Sequence, residues 1–173
     1  MKKQIVCGAV AILITGLSTT VFSTAAPNVR ERDNPPVATR AVSKETIERG
    51  RYVVKTTGCN DCHTPGYAAV GGNVEERRWL VGDSLGYQGP WGTTYPINLR
   101  RFLQTITEDQ WLIIARSPAR PPMPWFALRD MSDADLAAIY HYVRSLGGAG
   151  ELAPEYLPPG ATASTPVVTW PAG

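Results

Sequence analysis

The stretch "TTGCNDCHTPG", Thr56–Gly66, sets two cysteines three positions apart, with a histidine directly behind the second. The 173-residue chain holds only three cysteines and two histidines, so Cys59, Cys62 and His63 gather most of its soft ligands into one short segment. A structural zinc site needs a full tetrahedral set of such ligands, and beyond this segment only His141 is placed to help. A redox dithiol belongs next to a βαβ pattern, and none flanks this segment. A plain disulfide would give the histidine no task. The spacing Cys-x-x-Cys-His is instead the attachment signature of c-type haem. Each sulfur forms a thioether to one vinyl group, the two intervening residues set the reach between them, and the histidine that follows falls beneath the iron as its axial ligand.

The sixth iron ligand follows by elimination among the strong donors beyond the motif, Met123, Met131 and His141. His141 lies on a helical pattern, roughly 160° round from the centre of its apolar stripe, and is expected to face solvent. Met131 precedes a helix cap at Ser132, with Leu136 at the matching position inside, the pattern of a hydrophobic staple. Met123 sits in "ARPPMPWF", where flanking prolines exclude helix and hold the backbone extended. A thioether on a stiff loop reaches an iron with little entropy left to lose, so Met123 is the expected ligand, with core filling as its bland alternative.

Three helices are predicted around these sites. The first runs from Lys44 to about Thr57, capped by Ser43, with Val42 able to staple onto Ile47. Gly50 in its interior costs about 1 kcal/mol against alanine, which points to close approach of another helix. The second runs from Glu108 to about Arg116, capped by Thr107 and stopped before Pro118. The third runs from Asp133 to Leu146, ended by Gly147-Gly148, and presents Leu136, Ile139, Tyr140 and Val143 to the core. Residues 64–106 are rich in glycine and proline with little periodicity, so they read as wrapping loops, and no sheet is expected.

The ends have their own character. Lys2 and Lys3, an apolar run of 13 residues from Ile5 to Leu17, and the small residues Ser23-Thr24-Ala25 predict a secretory leader over residues 1–25. The run is shorter than the ~20 residues of a spanning helix; an uncleaved anchor is the competing reading. Cleavage would remove Cys7 and both lysines. The 17 Lys and Arg then fall to 15 against 15 Asp and Glu, and the formal charge becomes zero. Nothing in that balance calls for nucleic acid. Residues 26–42 read as a linker. Residues 148–173 read as a Pro/Gly-rich flexible tail, or alternatively as an extended strap using Tyr156, Val167, Val168 and Trp170.

Taken in order, "TGCNDCH", "MPWF" and "DMSDADLAAIYHYVRSL" resemble a class I monohaem cytochrome c, similar to the cytochrome c domains that accompany bacterial dehydrogenases. The resemblance covers about residues 43–147. It implies a small all-α domain with long haem-wrapping loops, to which this chain adds Pro-rich tails. The first and last helices would cross, with Gly50 and Tyr52 facing Ile139 and Tyr140. It implies one covalent haem c on Cys59, Cys62, His63 and Met123. It also implies that a carbonyl in a Pro-Asn-Leu-like stretch orients the histidine. In "YPINLR" Ile97 separates Pro96 from Asn98, which leaves open which carbonyl acts. Trp79, Trp91, Trp111 and Trp125 are candidates for the haem casing or for ordinary core. Arg100 and Arg101 read as a solvated surface pair, or alternatively as partners of the haem propionates.

The expected function is periplasmic one-electron transfer with redox partner proteins, a dehydrogenase donor or an oxidase acceptor, with membrane-complex docking left open. A haem enzyme or gas sensor with an open sixth position is the alternative, as is a fixed subunit of a dehydrogenase complex.

Overall fold

The computed structural model describes residues 41–170. The leader, Cys7 and nearly all of the linker lie outside the described residues. Among the described residues, no helix is long and apolar enough to cross a membrane.

The helices follow their local signals. Helix α1 (Lys44–Thr56) begins where the Ser43 hydroxyl accepts from the Thr46 amide. Helix α4 (Glu108–Ala115) begins with a reciprocal capping box between Thr107 and Gln110. Helix α6 (Asp133–Ser145) is capped by Ser132 and followed by Gly147 at φ +69°, a left-handed position that glycine adopts without strain. Val42, expected to staple onto Ile47, stays exposed. Shorter helices lie between: α2 (Cys59–His63), α3 (Leu99–Phe102) and α5 (Trp125–Arg129).

Helices α1 and α6 form the main contact of the fold. At Gly50 a Cβ would lie 2.0 Å from the Ala138 carbonyl oxygen and 2.6 Å from the Tyr142 Cβ. No side chain fits there. The partners across the crossing are therefore Ala138 and Tyr142, not Ile139 and Tyr140. Tyr52 does not share the contact and is 58% exposed. Residues two apart on a helix point to different faces, so Gly50 and Tyr52 cannot both meet one partner helix. The remaining core forms around Val53, Val54, Leu80, Leu103, Leu136 and Val143. Trp111 ties α4 to α6 by donating its indole N–H to the Leu136 carbonyl at 2.8 Å.

The mostly helical class holds, but a small sheet corrects the expectation of none. Strand β1 (Gly86–Gly89) pairs antiparallel with β2 (Gly92–Thr94), matching Tyr87 with Thr94. Strand β3 (Val167–Thr169) joins β1 in parallel, matching Tyr87 with Val168. These strands are too short and too glycine-rich to show alternation, and β3 lies in the far tail.

That tail runs as an extended strap over residues 148–170. Thr93 and Leu157 exchange backbone hydrogen bonds of 2.8 and 3.0 Å. The approach is so close that a Cβ on Gly92 would meet the Leu157 carbonyl oxygen at 2.1 Å.

Candidate cofactor site

A single turn of helix carries the motif. Gly58 enters it at φ +80°, and the i, i+3, i+4 spacing then gathers Cys59, Cys62 and His63 on one side of α2. The two cysteines are not joined by a disulfide. Burial pushes the Cys59 thiol up, away from the thiolate that redox exchange requires. Among the described residues no three His, Cys, Asp or Glu side chains converge on a metal-sized site.

His63 is fixed by one hydrogen bond. Its Nδ1 lies 2.8 Å from the Ile97 carbonyl oxygen. With the Nδ1 proton donated there, Nε2 keeps its lone pair for a metal. Burial lowers the pKa of the imidazole, and the Ile97 carbonyl opposes this in part; the ring stays neutral, the form a ligand needs. The carbonyl that the sequence left open is therefore Ile97, the residue inserted between Pro96 and Asn98. The chain around it is pinned. The Gly82 amide donates to the His63 carbonyl at 2.9 Å, and a Cβ on Gly82 would lie 2.7 Å from the Asn98 nitrogen. Asn98 caps α3 and reaches the Ala149 and Glu151 carbonyls at 2.7 and 2.9 Å.

The motif opens into a largely apolar cavity of about 1080 Å³, as large as the biggest small-molecule pockets, ~1,000 Å³. Cys59, Cys62, His63 and Met123 all line it. Met131 lines it too, but Met131 packs against the hydrophobic core, as its staple position predicts. Met123 belongs to no core cluster among the described residues. It closes a turn, its amide donating to the Arg120 carbonyl at 3.2 Å, so its backbone is not simply extended. His141 is outside the cavity. It is half-buried rather than solvent-facing, with Nε2 2.9 Å from a Glu108 carboxylate oxygen.

The other candidates divide. Trp111 and Trp125 line the cavity, whereas Trp79 and Trp91 do not. Arg100 and Arg101 are also absent from the lining. Arg100 does not face solvent. It is buried, and its guanidinium donates to the Gly147 and Arg77 carbonyls at 2.7 and 2.8 Å and to the Leu146 carbonyl. Arg101 donates to the Gly150 carbonyl at 2.8 Å. Arg120, which the sequence reading passed over, is the only cationic side chain lining the cavity among the described residues. Nothing local in "ARPPMPWF" distinguishes it, because its partner Tyr156 lies in the tail.

One polar atom fits a bound cofactor. Thr94 lines the cavity, and its Oγ1 is buried without a hydrogen-bond partner. A buried hydroxyl left so costs about 1–3 kcal/mol, and a polar group on a ligand would satisfy it. The apolar walls, the paired thiols, the neutral imidazole and the thioether form a donor set suited to haem.

A sequence profile of the family described as Cytochrome c matches residues 47–147. No curated protein and no solved structure matches the chain.

Proposed function

Because this chain belongs to the cytochrome c family, whose domain carries a covalently bound c-type haem for electron transfer, we propose that it is an exported one-electron carrier with histidine–methionine ligation. Cys59 and Cys62 would hold the haem through thioethers, and His63 Nε2 and the Met123 sulfur would supply the protein ligands to its iron. The cavity that brings the motif and Met123 together carries this reading. Bound there, the haem supplies a reversible one-electron couple.

The residues shape that couple. The Ile97 carbonyl holds His63 in one tautomer and strengthens it as a donor. A methionine opposite raises the potential relative to stronger donors. Held by both His63 and Met123, the group would offer a substrate no open position. The apolar lining limits water around the iron and keeps reorganisation small. The partners are redox proteins, a dehydrogenase donor or an oxidase acceptor, met in the periplasm after removal of the leader.

Ligand-specific spectra test it. The ferric protein should show the weak near-infrared sulfur-to-iron band. Met123→Ala should abolish it and lower the potential, while Met131→Leu and His141→Ala keep it. Ferrous protein should bind carbon monoxide slowly until Met123 is removed. Rapid carbon monoxide binding to the unmutated protein would instead identify a sensor or haem enzyme.

A further inference from the structure

The strap does more than cover the sheet. Ala153, Pro154, Glu155 and Tyr156 line the same cavity as the Cys-x-x-Cys-His motif. The Tyr156 ring lies under the Arg120 guanidinium, 4.1 Å from ring centroid to guanidinium carbon. This is the closest cation–π contact among the described residues. Arg120 in turn closes the turn that carries Met123. At its other end Tyr156 donates its hydroxyl to the Trp91 carbonyl at 2.6 Å. The next residue, Leu157, pairs with Thr93 on β2, and β2 leads directly into the Tyr95–Ile97 segment whose last carbonyl holds His63.

We propose that Arg120 and Tyr156 are positioning residues that latch the Met123 loop to the segment orienting His63, and so keep the methionine on the iron. The proposal rests on Met123 being the sixth ligand. Arg120, Pro121 and Pro122 are largely outside the core, so core packing does not hold this part of the loop. Prolines stiffen the loop internally, but stiffness does not fix where the loop sits. That placement comes from the guanidinium on the ring and the hydroxyl on Trp91. With the guanidinium exposed, a cation–π contact of this kind changes the population of the detached loop by about two- to fivefold. The strap is then a part of the axial site that lies outside residues 47–147, the span matched by the family profile.

Carbon monoxide association to the ferrous protein reads this population directly, and as a neutral ligand it is little affected by the charge removed with Arg120. The unmutated protein should show the near-infrared band and bind slowly. Arg120→Gln should speed association about two- to fivefold, and Tyr156→Leu somewhat more because it also loses the bond to Trp91, with the band still present near neutral pH. The double variant should be no faster than Tyr156→Leu alone, because that variant already removes the contact that Arg120→Gln removes. Tyr156→Phe keeps the ring and should fall closer to the parent. Arg77→Gln, which removes an exposed guanidinium elsewhere, should change nothing. Should Tyr156→Leu fail to fold, Arg120→Gln, which leaves the strap intact, carries the test alone. Unchanged rates in both single variants, with the band present in the parent, would overturn the latch and leave the ligation standing. A parent without the band would remove Met123 from the iron, and the latch with it.

Discussion

At the scale of single residues, backbone carbonyls do much of the work. Ile97 offers one to His63, and Arg100 collects three, from Arg77, Leu146 and Gly147. Arg100 thereby joins the C-terminal end of α6 to the short helical turn Glu76–Arg78, as a cation suits a helix C-terminus. Replacing it with methionine would fill the space and leave the carbonyls without their donor. Arg100→Met should lower unfolding free energy by about 2–3 kcal/mol in a denaturant titration. Arg100→Lys should recover little of this, because one ammonium cannot match a planar fork. The haem spectrum should not change, since Arg100 does not line the cavity. Stability unchanged with a shifted spectrum would return Arg100 to a propionate role. The chemistry of Cys59, Cys62 and His63 was legible because it is written in consecutive residues. The tasks of Ile97, Arg100 and Arg120 were not, because each is defined by a partner distant in sequence, and a carbonyl leaves no trace in residue type.

Between elements, one glycine sets the architecture. α1 and α6 cross with backbone against backbone at Gly50. An alanine there would gain about 1 kcal/mol of helix propensity. It would also place a methyl 2.0 Å from the Ala138 carbonyl oxygen, and the helices must separate to admit it. Overpacking of this kind costs about 1–3 kcal/mol, and the atoms met are backbone and a Cβ, which cannot rotate away. Gly50→Ala should therefore be destabilising by thermal or chemical denaturation despite its better propensity. A neutral or stabilised variant would refute the close crossing. The ends of α1, α4 and α6 were legible from Ser43, Thr107 and Ser132, since a cap is a short-range signal. The partners across the crossing were not. Helical periodicity says which residues point inward and leaves the register between two helices to packing, so Gly50 met Ala138 and Tyr142 rather than their neighbours.

Over the whole molecule the strap changes what the haem pocket is. Its halves have different tasks. Residues 153–156 line the cavity, whereas β3 pairs with β1 and lines none of it. No local pattern distinguishes the two, because prolines set both in extended backbone and the contacts that separate them lie at Trp91, Thr93 and Gly86. A nested pair of truncations separates them physically. Removal of residues 161–173 deletes β3 and the Tyr87–Trp170 contact but leaves the cavity wall in place. Its cost should fall on stability, with the potential close to that of the full chain. Removal of residues 153–173 also opens the wall and takes Tyr156 and Leu157 with it, while Ala149 and Glu151 keep their bonds to Asn98, so the loop that orients His63 keeps that one anchor. Water then approaches the iron and stabilises the more highly charged oxidised state. The potential should drop by tens of millivolts, where about 59 mV is a tenfold change for one electron. Potentiometric titration of the three proteins decides the matter. Equal potentials in all three would mean that the strap shields nothing, and an equal drop in both truncations would move the shielding from residues 153–156 to β3.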